Sequence, residues 1–127
     1  MTRALYVSVG LATLVLVGTT RPAISQTPTD PVVVISRHYP APGREDELQA
    51  RFVKIVDVVR AAEPKTIYRF HRSSKEPPTF LFYEIYESQA ARDYHANVIA
   101  DFRKQSPPPE GLFARPSETE VYREISK

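Results

Sequence analysis

The chain has 127 residues with 17 basic and 15 acidic side chains, and it contains no cysteine and no tryptophan. The absence of cysteine excludes disulfides, thiolate catalysis and zinc or iron–sulfur sites with cysteine ligands. This length is enough for one compact domain with a modest core.

The first 25 residues are typical of a cleavable export signal. A basic start at residues 1–3 precedes an apolar run shorter than the ~20 residues that span a bilayer, and small residues at 23–25 predict cleavage before Gln26. An uncleaved membrane anchor is the alternative. Cleavage removes two of the 17 basic residues, Arg3 and Arg21, and none of the 15 acids, so the mature chain is formally neutral. We expect a periplasmic or secreted protein that binds neither nucleic acid nor, after cleavage, a membrane.

The domain is predicted to run from residue 32 to 127, after a flexible tether at 26–31. β-branched residues at 32–35 and polar ones at 36–39 predict the first strand. Residues 44–63 predict the first helix, which Pro64 stops. Its apolar face comprises Leu48, Phe52, Ile55, Val56 and Val59.

Two further strands are predicted at residues 66–72 and 79–87. In the second of these, alternation places two sets of side chains on opposite faces. One face carries Phe80, Phe82, Glu84 and Tyr86, and the other carries Leu81, Tyr83, Ile85 and Glu87. Both faces are apolar enough to be covered.

Ser88 is predicted to cap a second helix, from Gln89 to about Lys104, whose apolar stripe directs His95 at the sheet. The last strand is predicted at residues 119–125. The order βαββαβ predicts a ferredoxin-like α+β fold, in which a four-stranded antiparallel sheet carries two helices on one face.

Three motifs follow one another along the chain: Pro42-Gly43-Arg44-Glu45-Asp46, Tyr68-x-Phe70-x-Arg72 and Phe80-x-Phe82-Tyr83-Glu84-x-Tyr86-x-x-x-Ala90-Ala91-x-x-x-His95. In this order they resemble the antibiotic biosynthesis monooxygenase domain, and the resemblance covers roughly residues 32–102. That family includes small quinol and polyketide monooxygenases and related haem-degrading enzymes. The resemblance implies a homodimeric α+β barrel of two sheets packed face to face, and oxygenation without flavin or metal.

The chain departs from two branches of the family. The haem-degrading branch relies on a tryptophan at the end of the third strand and an asparagine in the first, where this chain has Tyr86 and Ser36. Many quinol-oxidising relatives carry a second histidine on the second helix, where this chain has residues 100–102, Ala-Asp-Phe. Haem degradation is therefore not expected, although haem binding through His95 is a further alternative.

His95 and Glu84 are the predicted catalytic residues. His95 would remove a phenolic proton from a hydroquinone-like substrate; the alternative is a packed histidine bonded to a sheet residue. Glu84 lies among aromatic side chains, so its carboxyl group must be paired or have a raised pKa. The alternative role of Glu84 is a structural ion pair with one of three arginines on neighbouring strands. These are Arg69, Arg72 and Arg123.

Aromatic side chains are predicted to hold a planar substrate, unless they form only core or dimer interface. The predicted substrate-binding residues are Tyr68, Phe82, Tyr86, Tyr94 and Ser36, with Phe70 nearby. His38 and His71 are predicted to be surface residues, and no metal site is expected.

The leading hypothesis is an exported homodimer that oxygenates a small electron-rich aromatic with O2 and without a cofactor. The alternative is a non-catalytic exported dimer that binds a small hydrophobic ligand or a partner protein. The discriminating question is whether His95 and Glu84 line one cavity between the second helix and the sheet.

Overall fold

The computed structural model describes residues 30–126. The predicted leader and most of the tether lie outside the described residues. The elements are β1 (Val32–His38), α1 (Glu45–Ala62), β2 (Ile67–Arg72), β3 (Phe80–Tyr86), α2 (Gln89–Gln105) and β4 (Glu118–Arg123). This order confirms the predicted βαββαβ arrangement, with element ends shifted by no more than two residues.

The four strands form one antiparallel sheet in the order β2-β3-β1-β4. β3 and β1 are central, and Glu84 lies opposite Val34 of β1 and Tyr68 of β2. Ser36 lies opposite Phe82 and, on its other side, Thr119. Because side chains alternate along each strand, this register places Glu84 and Ser36 in adjacent rows, diagonal to each other, in the middle of the face that carries the helices.

α1 supplies most of the core. Its predicted apolar face is the buried one, and Leu48 is 0% exposed. Phe52 reaches the sheet, where its ring centroid lies 5.0 Å from that of Phe82 and 6.0 Å from that of Phe80. Leu112, from the loop before β4, completes this cluster. α1 is thus fixed to the sheet by aromatic packing.

α2 packs less tightly against the sheet than α1 does. Its N-cap is the predicted one, because the Ser88 hydroxyl oxygen accepts a hydrogen bond from the backbone N–H of Ala91 at 3.2 Å. None of the described residues of α2 is fully buried, and Val98, Ile99 and Phe102 pack only in part against the core. Space therefore remains between this helix and the sheet. Within residues 30–126 neither helix combines the length and apolarity needed to cross a membrane.

The centre of the outer face of the sheet is apolar and is flanked by charged side chains such as Arg37, Arg69 and Glu120. The helices lie on the other side. The apolar side chains of the outer face are only half-buried along β1 and β3 and exposed on the outer strands. They are Val33, Ile35, Ile67, Leu81, Tyr83, Ile85 and Tyr122. The prediction that both faces of β3 are apolar is confirmed.

Candidate active site

A cavity of about 330 Å³ lies between the sheet and α2, within the size range of small-molecule sites. His95 and Glu84 both line it, which answers the question that the sequence left open. The other predicted substrate-binding residues in its wall are Ser36, Tyr68, Phe82 and Tyr86. The exposed residues Arg103, Ser117 and Thr119 border it, so one side is accessible to solvent.

His95 pairs with Glu63, the residue that caps the end of α1. Nδ1 of His95 lies 2.9 Å from Oε1 of Glu63, and the two side chains are 12% and 3% exposed. The second carboxylate oxygen, Oε2, accepts a hydrogen bond from the Thr66 hydroxyl at 3.2 Å. The partner of His95 is therefore the residue that caps α1. The alternative for His95, which predicted a partner on the sheet, was wrong about the partner.

The pairing with Glu63 determines the tautomer and the orientation of the His95 imidazole. A carboxylate beside Nδ1 favours the tautomer that carries its proton there, which leaves the lone pair of neutral His95 on Nε2. The rings of Tyr68 and Tyr86 flank the imidazole, with centroids 5.1 and 5.2 Å from its own. His95 is thus oriented as a base.

Glu84 is bonded to hydroxyl groups. The Tyr86 hydroxyl donates to Oε2 at 2.5 Å, and the Ser36 hydroxyl donates to Oε1 at 3.4 Å. Ser36 Oγ also lies 3.3 Å from Oγ1 of Thr119. A chain of hydroxyl groups thus leads from the carboxyl group to the exposed edge of the cavity.

The alternative prediction that Glu84 pairs with an arginine on a neighbouring strand was wrong. Arg69 projects from the opposite face of the sheet, because it is one residue out of phase with Tyr68. Arg72 interacts with Asp46 and Glu76 near the surface, and Arg123 lies opposite Val32.

Burial governs the protonation of this cluster. It raises the pKa of Glu84 above the ordinary 4.5, although hydrogen bonds from Tyr86 and Ser36 and the charges of His95 and Arg92 oppose the rise. Burial, followed by the charge of Glu84, also raises the pKa values of Tyr68 and Tyr86. Both tyrosines therefore remain hydroxyl donors at neutral pH.

His38 was wrongly predicted to be a surface residue. Its ring packs at 4.7 Å from Phe52 and 5.5 Å from Phe82, and its Nδ1 lies 2.7 Å from the Ser117 hydroxyl. Burial, helped by the charge of Arg103, lowers the pKa of His38 from 6.5 to about 4. The alternation of β1 continues to its last residue, so His38 shares the face of Ser36. His71 is exposed, as predicted.

The aromatic residues divide into a cavity wall and a layer behind it. Tyr68 stacks on Phe82 at 4.8 Å and 24°, and both line the cavity. Phe70 stacks on Phe82 at 5.0 Å but does not line the cavity. Tyr94 is 54% exposed and was wrongly placed in the site. It precedes His95 by one residue, a rotation of about 100° around the helix that turns it away.

Several residues of the site were missed. Glu63 had no signal beyond its position at the end of a helix. Arg92 and Arg103 could have been found, because with Ala96 and Ile99 they form an i, i+4, i+7, i+11 stripe beside the stripe of His95. Among residues 30–126 no group of three or more His, Cys, Asp or Glu side chains is placed to hold a metal ion.

The fold and cavity together define a small ferredoxin-like α+β protein whose candidate site lies between the sheet and its second helix. The sequence profile of the antibiotic biosynthesis monooxygenase family matches residues 31–98, more than half of the chain. The chain belongs to this family, as the resemblance predicted. Membership indicates a monooxygenase-type or a ligand-binding function. The matched segment includes Glu63, Glu84 and His95.

An uncharacterised protein of Synechocystis sp. is similar over 96 residues at 29% identity. The alignment covers 74% of this chain and 63% of the relative, so the chain spans less than two thirds of that relative's length.

Solved structures show the same fold. Rv0793 of Mycobacterium tuberculosis is 25% identical with a TM-score of 0.64, covering 76% of this chain and 97% of that one. An antibiotic biosynthesis monooxygenase candidate from Caulobacter crescentus CB15 is 20% identical with a TM-score of 0.66, covering 78% and 93%. A mutant of MhuD with two manganese protoporphyrin IX molecules bound per active site is 17% identical with a TM-score of 0.61, covering 76% and 96%.

Proposed function

We propose that the protein is a cofactor-independent monooxygenase that oxidises a small hydroquinone-like aromatic with O2. The observation that carries the proposal is that an imidazole oriented by a buried carboxylate lines the same cavity as a buried carboxyl group. The cavity wall is largely aromatic, which suits a planar substrate.

His95 is the proposed general base. With Nδ1 hydrogen-bonded to Glu63, Nε2 accepts the phenolic proton of the substrate, and Glu63 stabilises the imidazolium that forms. The deprotonated ring is a stronger electron donor to O2. The ring supplies all the electrons that reduce O2; one oxygen atom becomes the new ring hydroxyl and the other leaves as water, giving a hydroxyquinone.

Glu84 is the proposed anchor of the second substrate oxygen. Its carboxyl group, Tyr86 and Ser36 form a hydrogen-bonded set on the cavity wall, and Tyr68 and Phe82 provide stacked ring surface beside it. A substrate hydroxyl that joins this set places its ring against the aromatic wall and its other hydroxyl near His95. Such positioning of reactants is a major source of rate enhancement.

Oxygen uptake with a panel of hydroquinones tests the proposal. His95→Ala should reduce turnover by about 10²–10⁴-fold, the usual contribution of a positioned general base. His71→Ala is the matched control, because His71 lies on the opposite face of the sheet from the cavity. Equal oxygen uptake by wild type and His95→Ala would remove the proposed role.

A ligand-binding module without turnover is the second candidate. The exposed residues Arg103, Ser117 and Thr119 at the border of the cavity favour it, because water reaches the site from that side and oxygenation benefits from water exclusion. A ligand-induced rise in melting temperature without oxygen uptake would support this candidate. A Soret titration in the same series tests haem binding through His95.

We propose that the outer face of the sheet packs against a second copy of the chain. Its apolar side chains line two adjacent strands, and such a face is normally covered. A symmetric dimer covers it with the same face. Sedimentation should show a dimer in the wild type and a monomer for Ile85→Glu, whereas Val53→Glu, on the exposed side of α1, should leave the dimer intact.

We propose that residues 1–25 direct export to the periplasm or the medium. The support is the arrangement of a basic start, an apolar run and small residues before Gln26. Intact-mass analysis of exported protein should show a chain that begins at Gln26, and retention of Met1 would contradict cleavage.

A further inference from the structure

The charged groups that line the cavity are unevenly distributed. Four residues of α2 face it at i, i+4, i+7 and i+11, with an arginine at each end and small or apolar residues between. They are Arg92, Ala96, Ile99 and Arg103. Eleven residues of helix span about 16 Å, so the two arginines start from opposite ends of this stripe.

Arg92 and Arg103 have different neighbours in the cavity wall. At one end Arg92 acts on Glu84, whose carboxyl group already accepts hydrogen bonds from Tyr86 and Ser36. At the other end Arg103 is accompanied by His38 and Ser117, and no carboxyl group lines the cavity there. Glu84 is the only carboxyl group in the described lining.

Arg103 has no internal partner in the described part of the chain. Within residues 30–126 no carboxylate lies within ion-pair distance of it, and its side chain makes no hydrogen bond. Its neighbour Lys104, by contrast, lies 3.6 Å from Asp101. The charge of Arg103 also acts on His38 inside the cavity, since it contributes to the lowered pKa of that histidine.

His38 cannot supply the positive charge itself at neutral pH. Its pKa is lowered to about 4, so its imidazole is neutral and can only donate or accept a hydrogen bond. The adjoining cavity, of about 250 Å³, shares Arg103, His38 and Ser117 and adds Arg51. The basic end of the site therefore has space for a substituent and a cation to neutralise it.

We propose that the substrate is an aromatic acid: a hydroquinone-like ring whose carboxylate, or a similar anionic substituent, binds Arg103 while its hydroxyl groups meet Glu84 and His95. This inference rests on the proposed function, because it names the substrate class of the same cavity. A charge-assisted hydrogen bond from a guanidinium group to a carboxylate is among the stronger polar contacts in proteins.

Anaerobic calorimetry with 2,5-dihydroxybenzoate and its neutral amide, 2,5-dihydroxybenzamide, tests the inference without turnover. The wild type should bind the acid at least about tenfold more tightly than the amide, as one charge-assisted hydrogen bond provides. Arg103→Gln should abolish this preference, chiefly by weakening the binding of the acid. Lys104→Gln is the matched control, with the same change of charge one residue away and outside the cavity.

Each outcome decides the inference. Equal binding of acid and amide to the wild type, no binding of either, or an equal loss of preference in Lys104→Gln and Arg103→Gln would overturn it. Oxygen-uptake measurements distinguish a failure of this inference from a failure of the proposed function. Uptake with neutral hydroquinones and no preference for the acid overturns this inference alone; an Arg103-dependent preference without uptake supports it and overturns the proposed oxygenation.

Discussion

Two histidines line the same cavity, and they differ in the partner at Nδ1. His95 faces the carboxylate of Glu63 at 2.9 Å, whereas His38 faces the hydroxyl of Ser117 at 2.7 Å. A carboxylate compensates the charge that an imidazole gains with a proton, and a hydroxyl group does not. The carboxylate partner equips His95 for proton transfer, whereas burial and the charge of Arg103 keep His38 neutral at neutral pH.

Changing the partner of His95 should give the largest effect. Glu63→Gln keeps the shape of the side chain but removes the negative charge that fixes the tautomer and stabilises the imidazolium. Turnover should fall by about 10²-fold, the lower end of the contribution of a general base. Steady-state oxygen uptake measures it, and circular dichroism checks that the variant is folded. If turnover is unchanged, Glu63 only anchors α2.

Protonating His38 should give the next largest effect, this time on stability. The pKa of His38 is lowered in the folded state, from 6.5 to about 4, so the folded chain binds this proton less readily than the unfolded chain. The resulting stability is complete above pH 6.5 and is lost as the pH falls toward 4. The loss should reach about 3 kcal/mol.

Urea unfolding between pH 7 and pH 4 measures this loss. His38→Phe should flatten the part of the acid dependence that His38 causes, because a phenyl ring fits among Phe52, Phe82 and Phe113 and does not titrate. His71→Gln is the control at a histidine outside the cavity. An unchanged slope in His38→Phe would show that other groups carry the acid sensitivity.

Glu84 is a carboxyl group with hydroxyl partners. Its effect on stability changes with pH in the opposite direction to that of His38. Its pKa is raised in the folded state, so its contribution to stability is complete below pH 4.5 and is lost as the pH rises through the folded pKa. Glu84→Gln should therefore gain stability relative to wild type as the pH rises from 4.5. Paired melting curves across this range measure the gain. A constant difference between the two proteins would contradict the raised pKa.

The smallest effect is expected at Tyr94. Its side chain is 54% exposed and lies outside the cavity, so Tyr94→Ala should change the free energy of unfolding by no more than about 0.5 kcal/mol and leave turnover unchanged. Tyr86→Phe, in the cavity wall, is the contrasting variant. It leaves one oxygen of Glu84 without its hydroxyl donor and should cost about 1–3 kcal/mol. Equal losses of unfolding free energy in Tyr94→Ala and Tyr86→Phe would contradict the assignment of Tyr86 to the cavity wall and Tyr94 to the surface.

The fold was predictable from the sequence because each element has a local signal. Helical spacing from Leu48 to Val59, alternation along β3 and the Ser88 cap all survive in the structure. The same periodicities directed His95 at the sheet and placed Glu84 among aromatic side chains, but they left open whether the two residues share a cavity. These patterns determine which face a side chain occupies.

The partners of those side chains were not predictable in the same way. The pairing of Glu63 with His95 joins residues 32 positions apart across two elements, and its existence depends on how α1 and α2 pack. The hydroxyl partners of Glu84 depend on strand register, which places Ser36 beside it and sends Arg69 to the other face. His38 was misread because its polar sequence neighbours gave no indication of the Phe113 loop that covers it.

The light packing of α2 has a consequence for how this protein can diversify. Substitutions in α1 disturb a close-packed aromatic core, whereas Ala96 and the two arginines of the α2 stripe lie outside that core and Ile99 packs against it only in part. The α2 residues that line the cavity are therefore largely separate from those that maintain the fold. Changes along this helical stripe should alter the cavity wall at a smaller cost in stability than changes in α1.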